Sequence, residues 1–126
     1  MVGIVIVSHS QALAHSVVAL TALMAPEAQI RAAGGLEDGS FGTSYEKIKQ
    51  AVCEVDQGDG VAILMDMGSA VMTAEMVVEA LNEPLVRLAD GPLVEGAVSA
   101  TMAAVTGGDL ETVLQSVREA AQTPKF

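Results

Sequence analysis

Apolar residues run along the chain in two alternating patterns. Residues 3–7 (GIVIV) and Val61–Met65 (VAILM) are continuous aliphatic runs flanked by polar or glycine positions, as expected of parallel strands buried on both faces. Weaker strands are read at 29–33 (QIRAA) and 85–88 (LVRL). Between them lie helical patterns of about 12 to 15 residues, an alternation that signals α/β architecture. The first helix is expected over 9–24, with Leu13, Val17, Leu20 and Met24 as its core stripe. Ser8-His9-Ser10-Gln11 reads as a capping box with Ser8 as N-cap, and Pro26 stops the helix. A second box, Thr43-Ser44-Tyr45-Glu46, opens a helix that ends near Gly58. A third helix is expected over 69–81 with Glu75 and Glu79 outward. A fourth runs from Pro92 to about Thr106, and a fifth follows Gly107-Gly108-Asp109 to near Gln122.

The fourth helix carries a single charge, Glu95, between Leu93 and Thr106, with small or apolar residues on every side. Such a helix must be covered all round, so the pattern points to a subunit interface, most simply a twofold homodimer.

Composition narrows the functions open to this fold. At 126 residues the chain fits one domain, 1–126. Six basic against sixteen acidic residues give a formal charge of −10, which argues against nucleic acid or an anionic membrane as the main partner. Hydrophobic residues reach 51% with 2% aromatics and no Trp, so base stacking and aromatic sugar platforms are disfavoured. No apolar run approaches the ~20 residues of a membrane span, and the N-terminus lacks a basic n-region. Cys53 is alone, which excludes an internal disulfide framework and a thiolate metal cluster. The expectation is a cytoplasmic domain without metal or cofactor, its methionines filling core and interface except Met67, an apolar contact in the candidate site, and Cys53 packed or half-buried.

In open α/β sheets sites form beyond the carboxyl ends of the strands. The segments there are Ser8-His9-Ser10, the glycine-rich stretch from Gly34 to Thr43, Asp66-Met67-Gly68-Ser69 and Asp90-Gly91-Pro92. If the first and third strands are neighbours, His9 and Asp66 approach one another. His9, read as the first residue of its helix, would then lie in the positive field of the helix N-terminus. Asp66 would accept Nδ1–H and leave Nε2 as a nucleophile; the plainer alternative is a first-turn histidine with no chemistry. The glycines, with Thr43 and Ser69, allow backbone amides and hydroxyls to surround a phosphate. Neither G-x-x-x-x-G-K-[ST] nor G-x-G-x-x-G occurs, so neither standard nucleotide fold is supported. His15 lies about 200° round the helix from Leu13 and reads as a surface residue.

These residues carry a resemblance. VIVSHS (5–10), AAG (32–34), Gly42-Thr43, MDMGSA (65–70) with Ala74-Glu75, and PLVEG (92–96) are similar to the mannose-type IIA phosphocarriers of the bacterial phosphoenolpyruvate:sugar phosphotransferase system (PTS). The similarity extends over essentially the whole chain. It is nearer to the phosphotransfer subunits of phosphoenolpyruvate-dependent dihydroxyacetone kinases than to the sugar-transport IIA domains. The resemblance implies an open four-stranded parallel sheet, order 2-1-3-4, flanked by helices, in a dimeric protein. It implies that His9 is phosphorylated on Nε2 by a histidine phosphocarrier protein and that Asp66 orients the ring. Ser10, Gly42, Thr43, Gly68 and Ser69 then surround the phosphoryl group, which passes to ADP on the ADP-binding kinase subunit. Two alternatives remain open on the sequence: a sugar IIA domain donating to a IIB domain, and a flavodoxin-like regulatory or binding domain.

Overall fold

The computed structural model describes residues 1–126. Its elements are β1 (Gly3–Ser8), α1 (Gln11–Met24), β2 (Ile30–Gly34), α2 (Tyr45–Val55), β3 (Val61–Met65), α3 (Ser69–Leu81), β4 (Val86–Leu88), α4 (Leu93–Val105) and α5 (Leu110–Ala120). The strands form one parallel sheet in the order β2-β1-β3-β4, as the family resemblance implies. β1 is central, and all six of its residues are buried, which explains why its sequence is apolar without alternation. Its side chains still alternate between two cores. Ile4 and Ile6, with Ala62 and Leu64 of β3, face α1, α4 and α5. Val5 and Val7, with Val61 and Ile63, face α2 and α3. A one-residue slip would exchange the two sets, and truncating Ile6 to Ala would cost about 2–5 kcal/mol.

The register delivers the site. Val7 pairs with Met65, and the Asp66 amide continues the ladder to the Val7 carbonyl at 3.1 Å. The residues that follow β1 and β3, His9 and Asp66, therefore emerge side by side at the carboxyl edge.

Several local expectations are corrected. α1 begins at Gln11, and its N-cap is Ser10, whose Oγ accepts from the Leu13 amide at 3.1 Å. Ser8 ends β1 instead of capping the helix, because its hydroxyl is bound to Asp66 across the sheet. The buried stripe of α1 is Ala14, Val17 and Thr21. Leu13, Leu20 and Met24 are substantially exposed. α1 approaches β2 too closely for larger residues: a Cβ added at Gly34 would lie 2.7 Å from the Ala14 Cβ. Thr21 is tolerated inside because its hydroxyl donates to the Val18 carbonyl at 2.8 Å.

α2 is capped by Ser44, one residue beyond the expected start, and ends at Val55. It buries Ile48, Ala51, Val52 and Val55, so Cys53 points outward and is exposed, contrary to the packed position expected for it. None of the seven methionines belongs to the buried core. Met67, Met72 and Met76 stand out on the α3 side. The cover expected from a partner for α4 is largely supplied within the chain. Ala97, Ala100 and Ala104 pack into the core under α5, and Gly96 lets Val117 approach to 3.1 Å of where a Cβ would be. Val94 and Met102 remain partly exposed. No helix is long and apolar enough to cross a membrane.

Candidate functional site

The β1–α1 and β3–α3 junctions meet at His9 and Asp66. The Asp66 carboxylate accepts four hydrogen bonds. Oδ2 receives the Ser8 hydroxyl at 2.9 Å and the His9 amide at 3.0 Å. Oδ1 receives His9 Nδ1 at 3.0 Å and the Met67 amide at 2.7 Å. Burial alone would raise the Asp66 pKa, and is the largest single influence. The bonds from the His9 amide, the Ser8 hydroxyl, the Met67 amide and the His9 ring together outweigh it, so the carboxyl titrates below its ordinary value of 3.8.

An ionised carboxylate only accepts, so Nδ1 of His9 must donate. In the neutral ring that leaves the lone pair on Nε2, which meets Ser69 Oγ at 2.7 Å. The hydroxyl is then the donor. The histidine side chain is 24% exposed and the Asp66 side chain 15%: the carboxylate is the more sheltered half of the pair, and the Nε2–Ser69 contact is exposed.

His9 is not the first residue of α1, as expected, but stands two residues before it. The field acting on Nε2 comes instead from α3, whose first residue is Ser69. Gly68 caps α3 without any side-chain hydrogen bond, and the amides of Gly68 and Ser69 donate no backbone bond. An uncapped helix N-terminus with free amides suits an anion. Gly68 adopts φ 48° and ψ −113°, a conformation that L-residues avoid. A Cβ there would meet no atom within 4 Å, so the requirement for glycine is conformational and not steric.

The glycine loop closes the site from the β2 side. The Gly42 amide donates to the His9 carbonyl at 2.9 Å and the Gly35 amide to the Ser8 carbonyl at 3.1 Å. Thr43 Oγ1 lies 3.0 Å from Thr73 Oγ1. Ser10 adjoins the histidine, but its oxygen serves as the α1 cap, and its amide donates to Ser8 Oγ at 3.0 Å. His15 is exposed on the body of α1, outside this network. No group of three or more His, Cys, Asp or Glu side chains converges to hold a metal ion. The cleft between α4 and the C-terminal residues, lined by Val94, Glu95, Ser116 and Lys125, shares no residue with the site.

Three contributions were not expected from the sequence. Ser8, fully buried, bridges the Asp66 carboxylate to the Ser10 amide. A serine ending an otherwise aliphatic strand was the available signal. Lys47 of α2 reaches back to donate to the carbonyls of Gly34 and Leu36 at 3.1 and 3.0 Å, pinning a glycine-rich loop that has no basic residue of its own. Thr73 joins the Thr43 hydroxyl to the Ser69 carbonyl. Both depend on contacts between distant segments.

An imidazole anchored through one nitrogen, with the other bonded to the first residue of a helix whose leading amides are free, can serve chemically as a nucleophile beside an anion cradle. Residues 3–114 match the EIIA-man family model, described as PTS system fructose IIA component, and the chain belongs to that family. Within it, the curated relatives are DhaM subunits. The chain is 37% identical to "PEP-dependent dihydroxyacetone kinase, phosphoryl donor subunit DhaM" of Escherichia coli (strain K12), over 99% of this chain and 28% of that protein. It is 33% identical to "PTS-dependent dihydroxyacetone kinase, phosphotransferase subunit DhaM" of Lactococcus lactis subsp. lactis (strain IL1403), over 93% of this chain and 94% of that one. The chain thus spans little more than a quarter of the length of the E. coli relative and nearly all of the lactococcal one. Among solved structures, that of EF1359, a protein of unknown function, superposes with a TM-score of 0.88 at 30% identity, over 99% of this chain and 98% of that one. A PTS component EIIA from Streptococcus agalactiae superposes at 0.73 with 14% identity, over 97% and 93% of the two chains, a likeness of fold.

Proposed function

We propose that this chain is a phosphohistidine carrier: it accepts a phosphoryl group on His9 Nε2 from the PTS histidine phosphocarrier protein. It then passes that group to ADP on the ADP-binding subunit of dihydroxyacetone kinase. The observation that carries this is the division of labour at His9, with Nδ1 on Asp66 at 3.0 Å and Nε2 at 2.7 Å from a hydroxyl on the first residue of α3.

The Nε2 lone pair attacks the phosphorus on the donor histidine. The donor's N–P bond breaks and its electron pair returns to the donor imidazole. Ser69 must release Nε2 for this, and its Oγ–H then turns to a phosphoryl oxygen beside the amides of Gly68 and Ser69. Gly42 and Thr43 close the other side, and Ser10 stands next to the ring. Asp66 stabilises the positive charge that the ring acquires. In the second transfer a terminal oxygen of ADP attacks phosphorus, and Nε2 leaves with its electron pair. Every step uses in-line positioning and charge stabilisation by the protein.

A carrier of this kind works as a phosphotransferase subunit in the cytoplasm. Its charge of −10 favours donor and acceptor surfaces that are basic and salt-sensitive in encounter. Leu20 and Met24 of α1 and Met102 of α4, apolar and partly exposed, are the positions a homodimer would cover. The test is transfer of labelled phosphoryl from the charged protein. Uptake by the ADP-loaded kinase subunit and not by a PTS IIB domain is expected, and the reverse preference would overturn the assignment of acceptor.

A further inference from the structure

Thr73 makes two contacts of very different range. Its hydroxyl donates to the Ser69 carbonyl, one turn earlier in α3, at 2.8 Å. Alone, this is the ordinary back-bond of a helical threonine. The same oxygen also lies 3.0 Å from the hydroxyl of Thr43, thirty residues away on the glycine loop. A hydroxyl has one proton, and that of Thr73 is spent on a carbonyl, so Thr43 must be the donor to Thr73. Both arms lead back to His9. The Gly42 amide holds the His9 carbonyl at 2.9 Å, and Ser69 Oγ holds Nε2 at 2.7 Å. The result is a closed ring of hydrogen bonds, linked covalently through Gly42-Thr43 and within Ser69, that begins and ends on the histidine.

We propose that Thr73 is a positioning residue for phosphoryl transfer, a role that rests on the carrier reading above. It fixes the first turn of α3 against the glycine loop, so that the Ser69 hydroxyl and the Gly68 and Ser69 amides are set before the phosphoryl group arrives. Thr73 itself acts through Ser69 and Thr43. The Thr43 proton is already committed in the free protein, so Thr43 donates its hydroxyl to a phosphoryl oxygen only by opening this ring.

The test compares Thr73→Val, which keeps the branched shape and loses both contacts, with Thr73→Ser, which keeps the hydroxyl. Two readouts on the full chain separate this inference from the carrier reading. The first is the ¹⁵N resonance of His9 Nε2 in the unphosphorylated protein, which reports the Ser69 hydrogen bond without any transfer. The second is the single-turnover rate of phosphoryl uptake from the charged phosphocarrier protein. Thr73→Val should move the Nε2 resonance toward that of a free imidazole nitrogen and slow uptake roughly tenfold at saturating donor. Half-saturation should be unchanged and the melting temperature within about 3 °C of the parent. Thr73→Ser should restore both readouts. A Thr73→Val protein with the parent resonance and rate overturns the proposal, as does a serine variant as impaired as the valine one. A parent protein that takes up no phosphoryl group, while the valine resonance still moves, overturns the carrier reading and with it the role in transfer, but not the ring.

Discussion

Two strand-to-helix junctions meet at the carboxyl edge of the sheet, and they are built in opposite ways. After β1, the chain spends its polar groups on itself. Ser10 caps α1, Ser8 binds both the Ser10 amide and Asp66, and the His9 amide is held by Asp66. After β3, the helix starts without a side-chain cap, on a glycine at φ 48°, with the amides of Gly68 and Ser69 free. On the proposed mechanism, the first junction immobilises the nucleophile and the second leaves a positive helix end open for the charge it would carry. The same supersecondary unit serves rigidity in one place and unsatisfied binding capacity in the other, and the difference lies in one serine against one glycine.

Substitutions at the two junctions should therefore separate stability from transfer. The largest effect is expected from His9→Ala, which should abolish phosphoryl uptake, measured as incorporation of label from phosphoenolpyruvate. His15→Ala, on the exposed face of α1, should leave uptake nearly unchanged. Asp66→Asn comes next: it replaces one of the two accepting oxygens by a donor amide, so the Nδ1–H tautomer is no longer fixed, and single-turnover uptake should fall by about a hundredfold or more. Its pH behaviour follows from the lowered pKa of Asp66. The stabilisation by the ionised carboxylate is complete above its ordinary value of 3.8 and is lost as pH falls through the lowered folded-state value. The melting-temperature gap between parent and Asp66→Asn should thus be constant from pH 5 to 8 and close only in strong acid. A gap that closes near neutrality would contradict the anchoring role.

Gly68→Ala introduces no collision but forces an L-residue into a disfavoured conformation, costing about 1–3 kcal/mol by denaturant titration. Uptake should suffer beyond that loss, because the free amides shift with the backbone. The smallest effects draw the sharpest contrast. Ser10→Ala should lose about 1 kcal/mol of stability through the α1 cap and keep most of its transfer rate. Ser69→Ala should lose transfer with little change in stability, since α3 has no side-chain cap to forfeit. If the two serines behaved alike in both assays, the distinction between the junctions would fail.

Much of this was legible in the chain itself. The span of α3 coincides with the sequence expectation, as does that of β3, because a uniform aliphatic run and a clear Gly-Ser start leave little ambiguity. The approach of His9 and Asp66 followed once the first and third strands were neighbours, the order that the resemblance implied. Reading α1 from Ser8 failed because both Ser8 and Ser10 look like caps locally. The choice between them is made by Asp66, 58 residues downstream of Ser8. The core stripe of α1 was misread because the helix is apolar on several sides, so periodicity does not pick a face. Close packing at Gly34 selects Ala14 and Val17 over the larger leucines. The cover that α4 finds within the chain likewise depends on α5 folding back over it, held by close approaches at Gly91 and Gly96 to Val117. Lys47 and Thr73 escaped for the same reason as Ser8: their partners are distant in sequence and carry no local motif.

In the proposed carrier the phosphoryl group rides on the nitrogen of His9 that faces Ser69, not on the one that faces Asp66. Incubation with phosphoenolpyruvate, enzyme I and the histidine phosphocarrier protein, followed by ³¹P–¹⁵N correlation on the ¹⁵N-histidine-labelled chain, reads this directly. One acid-labile, base-stable phosphoryl group coupled to His9 Nε2, and absent from His9→Ala, is the predicted result. Coupling to Nδ1, a base-labile acyl phosphate on Asp66, or label persisting on His9→Ala would contradict it.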